Sequence, residues 1–97
     1  MAALDLLGRR WALGVLWELR AGPRTFNEVL RALDGLSPSV LSTRLAELSD
    51  ARLVEAQRTG GYELTKIGSA LGEALVPIEH WSHDWGRELH RASRRAR

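Results

Sequence analysis

Small hydroxyl side chains and one arginine follow a helix-start signal near the middle of the chain, at spacings that place them on the outer side of a helix. These residues are Ser37, Ser39, Ser42, Thr43 and Arg44. Hydroxyl and guanidinium groups hydrogen-bond to phosphates and base edges in DNA, and arginine pairs best with guanine. The segment therefore predicts a nucleic-acid contact surface, with Arg44 as the base-reading side chain. The alternative is a surface helix of an interaction module.

Three further residues flank this segment and are predicted to contact DNA with it. Arg24 and Thr25 precede it, and Arg58 follows it. Each arginine that neutralises a phosphate would add about one unit to the salt dependence of binding. Ordinary solvated surface explains any one of them equally well.

A second cluster of polar residues lies near the end of the chain, where Glu79, His80, His83 and Asp84 fall within one and a half helical turns. Residues three and four apart share a helix face, so two of them could share a metal ion. No third ligand is signalled elsewhere and the chain contains no cysteine, so we expect neither a metal nor a cofactor. Because a nucleophile elbow and a phosphate-binding glycine loop are also missing, the sequence does not predict an enzyme.

The composition predicts one domain over residues 1–97 that buries apolar surface against a partner. Hydrophobic residues make up 44% of the chain and four are tryptophans, which is generous for its length. No apolar run is long enough to span a membrane, so a cytoplasmic location is expected. The formal charge is only +2, but the last seven residues, 91–97, contain four arginines and no acid, and 93–97 are predicted to form a basic tail.

The elements that must position these residues can be read from periodicity and capping signals. Apolar spacing predicts one helix over Ala3–Arg20, and a capping box at Thr25 and Glu28 starts a short second helix. Ser37 followed by proline starts the third, which gives a helix-turn-helix over about residues 25–51.

A small hairpin and a long last helix complete the chain. The hairpin is predicted over 53–64 and the helix over 65–92, with a kink or a break near Val76 caused by Pro77. The predicted fold is thus mainly α with a small β-hairpin, a winged helix-turn-helix with a long C-terminal dimerisation helix.

Large apolar residues on the first and last helices are predicted to form a dimer interface. They are Leu4, Leu7, Trp11, Ile78, Trp81, Trp85 and Leu89. Tryptophan is enriched in interfaces, which favours this interpretation. The alternative is an aromatic pocket at the dimer seam that binds a small planar effector.

The ordered segments of the chain resemble the HxlR-type winged-helix transcriptional regulators, a branch near the MarR type. The resemblance is carried by Leu4–Trp11, Gly22–Glu28, Leu36–Pro38, Leu41–Leu45, Leu53–Glu55 and Tyr62–Thr65, with Gly68, Leu71, Trp85 and Gly86 after them. It implies a homodimer whose first and last helices pack across the two-fold axis, and an inverted-repeat operator in double-stranded DNA.

The chain departs from the family pattern in four places. It lacks the cysteine found near the first helix, so redox sensing of that kind is not expected, and its wing is shorter and lacks the proline-arginine tip. Ser39 stands where a basic residue is common, and Arg52 replaces a glycine. If Arg52 is left-handed, it costs about 1 kcal/mol relative to glycine.

The residues and the resemblance together predict a dimeric transcriptional repressor, and they leave open whether it responds to a small planar effector. A winged-helix dimer that binds a protein or a small ligand without specific DNA binding is the alternative.

Overall fold

The computed structural model describes residues 2–95, and their order of elements is that of a winged helix-turn-helix. The helices are α1 (Ala2–Leu7), α2 (Ala12–Arg20), α3 (Phe26–Ala32), α4 (Pro38–Asp50) and α5 (Lys66–Arg95), and the strands are β1 (Arg24–Thr25), β2 (Val54–Ala56) and β3 (Gly61–Leu64). The predicted fold class is confirmed.

The helix starts predicted from capping residues are also confirmed. At α3, the Thr25 hydroxyl accepts from the Glu28 backbone N–H at 3.1 Å, and Glu28 Oε1 accepts from the Thr25 N–H at 2.8 Å. At α4, the Ser37 hydroxyl accepts from the Val40 N–H at 3.3 Å, and Pro38 occupies the first helical position. These local bonds satisfy backbone donors that a helix start leaves unpaired, so each can be read from a few residues.

The prediction of one helix over Ala3–Arg20 is wrong, because the chain breaks between α1 and α2. Trp11 adopts a left-handed conformation (φ 76°, ψ −9°), which no α-helix accommodates. Its ring lies against Gly35 in the turn before α4, where a Cβ would be 3.8 Å from Cη2 of Trp11. A tertiary contact therefore overrides a helical pattern that is continuous in the sequence. We call residues 8–11 the Gly8–Trp11 link.

The sheet has three strands in the order β1-β3-β2, whereas only the β2–β3 hairpin was predicted. In β1, Arg24 pairs with Tyr62 and Thr25 pairs with Gly61, both antiparallel. A Cβ on Gly61 would lie 3.3 Å from the Arg24 oxygen, so glycine allows this close approach. A two-residue strand carries no periodicity, which is why the sequence did not reveal it.

The core lies between α2, the helix-turn-helix and the start of α5. Its buried residues are Val15, Leu16, Leu19, Val29, Leu36, Leu41, Leu45, Leu48, Val54 and Leu75. Because α4 supplies three of these leucines, the core fixes which of its faces points to solvent.

The last helix extends far beyond this core. Its 30 residues span about 45 Å at 1.5 Å per residue, and they make the molecule 54 Å long but only about 25 Å wide. The sequence predicted either a kink or a break near Val76 because of Pro77. The structure shows no break, since the helix continues through Pro77. Pro77 is exposed, so water can reach the carbonyl that loses its donor.

The described part of α5 runs to Arg95 rather than to residue 92, and of the predicted 93–97 tail the last two residues lie outside the described range. Among the helices of residues 2–95, none combines the length and the apolar character that crossing a membrane requires.

Candidate DNA-binding interface

The outer face of α4 presents three small polar side chains. Ser39, Ser42 and Thr43 are exposed, and their spacing of three and four places them on one side of the helix. Leu41 and Leu45 on the opposite side are buried in the core. The helix is therefore held from behind while its hydroxyl face is free to meet a partner.

The hydroxyl groups at the start of α4 are already partly committed to the helix. Thr43 Oγ1 donates to the Ser39 carbonyl at 3.0 Å, so its proton is used within the helix and its oxygen can only accept from a partner. Ser37 accepts from the helix backbone and lies 3.4 Å from the Ser39 hydroxyl. A serine that accepts one bond retains its own proton, which suits a phosphate oxygen.

Thr25 and Arg24 lie at the junction of β1 and α3. The capping bond from the Thr25 backbone N–H, together with the bond to the Thr25 side chain, holds the pKa of Glu28 below its ordinary value of 4.5. Arg24 is half-buried, and its Nε donates to the Glu18 carbonyl at 3.1 Å. Part of this guanidinium therefore stabilises the fold through a hydrogen bond to the end of α2. Thr25 is exposed.

Arg44, predicted to read a base, is largely engaged inside the subunit. Its Nε donates to the Arg10 carbonyl at 2.8 Å, and its Nη1 forms an ion pair and hydrogen bond with Oε1 of Glu47. Only 17% of the side chain is exposed, in contrast to the serines beside it. The structure thus separates Arg44 from the hydroxyl face to which the sequence assigned it.

Two arginines of the Gly8–Trp11 link were not identified from the sequence as candidates. Arg9 Nε lies 2.7 Å from Oε2 of Glu47 on α4, and the Arg10 guanidinium lies 5.4 Å from the centre of the Trp11 ring. Both arginines are exposed. The adjacent pair of cations was visible in the sequence, but its placement beside α4 depends on the helix break.

Arg58 lies at the tip of the wing, in the turn that joins β2 to β3. The turn is closed by the Gln57 N–H, which donates to the Gly61 carbonyl at 2.7 Å, and Arg58 is exposed. This position suits a contact with a phosphate beside the groove that α4 would enter.

The apolar residues predicted for the dimer interface occupy different surroundings. Ile78, Trp81, Trp85 and Leu89 form a line along the exposed half of α5, which we call the apolar stripe, and each is more than half exposed. The rings of Trp81 and Trp85 stack with their centroids 5.5 Å apart. Trp11 instead packs against the core of its own subunit, and Leu4 is exposed on α1.

Leu7 contributes to an apolar groove of about 580 Å³ between α1 and the start of α5, which we call the α1–α5 groove. It is lined by Ala3, Leu6, Leu7, Ala51, Leu53, Ile67, Ala70 and Leu71. Its lining is aliphatic and contains no tryptophan, so it is not the aromatic pocket at the dimer seam that was the alternative interpretation of the sequence. The volume is within the range of small-molecule sites.

The polar cluster on α5 contains one close contact, with Nε2 of His83 3.0 Å from Oε1 of Glu79. Within residues 2–95, no group of three or more potential ligands is arranged to hold a metal ion.

The sequence model of the HxlR-like helix-turn-helix family matches residues 6–90. The chain belongs to this family. Among its relatives, the HTH-type transcriptional regulator YvaP of Bacillus subtilis is 36% identical over 89 residues, which are 86% of this chain and 82% of YvaP. The B. subtilis regulator YodB is 31% identical over 87 residues, covering 84% and 78% of the two chains.

Solved structures of HxlR-like proteins have the same fold. Quinone-bound YodB superimposes with a TM-score of 0.78 at 32% identity, over 86% of this chain and 93% of that one. A Thermoplasma volcanium protein described as a possible HxlR family transcriptional factor gives 0.83 at 27% identity, over 90% and 84%. The chain is therefore a DNA-binding transcriptional regulator, a class that generally has no enzymatic activity.

Proposed function

We propose that the protein acts in the cytoplasm as a dimeric repressor that reads an inverted-repeat operator with α4. The exposed hydroxyl face of α4, anchored from behind by buried leucines, is the observation that carries this proposal. A helix of this kind fits the major groove, and two copies would lie about 34 Å apart, one turn of DNA. Occupying a promoter in this way blocks transcription.

The charges for phosphate contacts come mostly from outside α4. Within α4 the charged side chains are Arg44, Glu47 and Asp50, so the helix itself carries more negative than positive charge. Arg9 and Arg10 in the link and Arg58 on the wing are exposed cations on neighbouring elements. The N-terminus of α4 adds a partial positive charge from the helix dipole.

The apolar stripe of α5 supports the dimer. From His80 onward all described residues of the helix are exposed in the single chain, and the stripe lies along one side of this segment. A helix that extends away from its core with two stacked tryptophans on one face gains most by burying that face against another chain. A second copy of this chain presents a matching stripe, and two-fold packing closes the assembly.

An effector that binds in the α1–α5 groove is a second part of the proposal. The groove has a suitable volume and an apolar lining, and YodB has been solved with a quinone bound. Because this chain contains no cysteine, a planar ligand would be held without a thiol bond. Titration with a naphthoquinone should quench tryptophan fluorescence and weaken DNA binding, and Ala70→Phe should abolish both effects. Unchanged DNA binding in the presence of the quinone would remove the effector from the proposal.

The experiment that tests DNA reading is a gel shift with the upstream region of the chain's own gene and a scrambled duplex of equal length. We expect preferential binding to the upstream region at both 50 and 200 mM salt, about a thousandfold tighter than to the scrambled duplex. Arg58→Ala should lower the salt dependence by about one unit per subunit, while Arg87→Ala on the exposed part of α5 serves as the control. If no preference survives at the higher salt, the chain is instead a protein- or ligand-binding module.

A further inference from the structure

The Arg44 side chain connects α4 to the Gly8–Trp11 link rather than extending from the hydroxyl face. Its Nε reaches the Arg10 carbonyl at 2.8 Å, and its Nη1 is paired with Glu47 one turn further along α4. The Arg10 carbonyl is accessible to it because the helix breaks at Trp11, so that this oxygen is not consumed by a regular helical bond. An arginine fork with fixed geometry suits such a double contact.

The Glu47 carboxylate makes a second connection between the same two elements. One oxygen binds Arg44, and the other lies 2.7 Å from Nε of Arg9. The Glu47 side chain is only 24% exposed, so solvent screens these charges less than at an open surface. The link is thus attached to α4 through a backbone carbonyl and through a side chain.

Trp11 attaches the link to the turn that precedes α4. Its left-handed backbone is unfavourable for a tryptophan, so the conformation must be maintained by its surroundings. The indole ring lies over Gly35, and the Arg10 guanidinium covers the ring at 5.4 Å. The link therefore contacts the helix-turn-helix both before α4 and along α4.

We infer that Arg44 is a positioning residue and not a base-reading residue: with Glu47 and Arg9 it fixes the orientation of α4 against the Gly8–Trp11 link, and so sets operator specificity. This inference rests on the proposed function, in which α4 reads the operator. Serine and threonine side chains are short, so a small rotation of α4 moves them out of reach of base edges. Long arginines on phosphates tolerate the same rotation, which leaves non-specific binding intact.

The substitution Glu47→Gln separates the two roles through the ratio of binding to the upstream and the scrambled duplex. It releases Arg9 as well as Arg44 and removes a negative charge, which tightens binding to both duplexes alike and leaves the ratio unaffected. If Arg44 positions α4, the ratio should fall about tenfold; if Arg44 reads a base, the ratio should be kept or increase. Glu73→Gln is the matched control, since it removes the same charge from an exposed residue that lies 3.7 Å from Arg20.

The substitution Arg44→Lys keeps the charge but cannot make both contacts from a single ammonium group. Binding to the upstream duplex is compared with binding to a set of its single-base variants. We expect Arg44→Lys to discriminate less well at all operator positions. A guanine-reading residue would lose preference at one position in each half-site. Arg44→Lys and Glu47→Gln should also be non-additive in the ratio of specific to non-specific binding.

A measurement without DNA distinguishes failure of this inference from failure of the proposed function. In Glu47→Gln, hydrogen exchange should accelerate for the amides of Gly8 and Ala12, which bond to Leu4 and to Arg9, while the amides in the first turns of α5 stay unchanged. If Arg44→Lys does not fold, Glu47→Gln carries the measurement with single-base variants as well, because it leaves the Arg44 side chain in place and removes only its partner. An unchanged ratio of upstream to scrambled binding in Glu47→Gln, or unchanged exchange in the link, overturns the inference. Wild-type protein without preference for its upstream duplex overturns the proposed function instead.

Discussion

Gly68 faces the backbone of Leu53 so closely that a Cβ on Gly68 would lie 1.9 Å from the Leu53 carbonyl oxygen. The same oxygen accepts from the Thr65 N–H at 3.0 Å, and the Thr65 hydroxyl donates to the Arg52 carbonyl at 2.6 Å. The start of α5 is therefore fixed directly onto the segment that follows α4. This junction sets the direction in which the long helix leaves the domain.

Gly68→Ala should destabilise the protein by about 2–4 kcal/mol, because backbone atoms of Leu53 cannot yield as a flexible side chain would. Urea unfolding monitored by circular dichroism measures the change. Gly86→Ala is the control on the same helix, since a Cβ there meets no atom within 4 Å. Alanine's helix propensity should raise the free energy of unfolding at that site by about 1 kcal/mol. A gain in stability at Gly68 similar to that at Gly86 would contradict the predicted clash.

Arg52→Gly should stabilise the protein by about 0.5–1 kcal/mol, because Arg52 has a φ of 65°, in the left-handed region. The sequence analysis predicted this cost only for a left-handed backbone at position 52, and the structure has one there. Thermal unfolding of Arg52→Gly beside Arg58→Gly provides the check, since both lose one exposed arginine but Arg58 does not have a positive φ. Equal changes in the two variants would show that backbone strain at Arg52 is absent.

The capping box at α3 should make stability depend on pH in the acidic range. The folded state holds the pKa of Glu28 below 4.5, so its contribution is present above that pH and disappears as pH falls through the lower folded pKa. The gap in free energy of unfolding between wild type and Glu28→Ala should therefore be largest above pH 4.5 and narrow below it. Glu28→Gln cannot titrate, so its free energy of unfolding should lack this pH-dependent component. If the free energies of unfolding of wild type and Glu28→Gln change with pH in parallel, the prediction is contradicted.

In the dimer proposed above, Trp85→Ala should weaken association by about 2 kcal/mol, roughly a thirtyfold increase in the dissociation constant, because one of the two stacked tryptophans is lost from the apolar stripe. Sedimentation equilibrium measures the change directly. His90→Ala is the matched control, since it lies outside the apolar stripe and is also exposed on α5. An unchanged dimer in Trp85→Ala would place the subunit interface elsewhere.

Much of the fold could be predicted from the sequence because it rests on short-range rules. Thr25 with Glu28, and Ser37 with Pro38, fix their helix starts through neighbours three residues away. Leucine periodicity likewise determined which face of α4 is buried and left Ser39, Ser42 and Thr43 outside. These features need no knowledge of the rest of the chain.

The tertiary structure alone decided how the candidate site is arranged. Trp11 breaks a helix that is continuous in the pattern, since its ring finds Gly35 some twenty residues away in the chain. That break exposes the Arg10 carbonyl, which accepts from Arg44 Nε and holds the guanidinium against the link. The sequence alone shows that Arg44 can donate several hydrogen bonds. Only the tertiary structure shows that its guanidinium donates to the carbonyl oxygen of Arg10, 34 positions earlier in the chain.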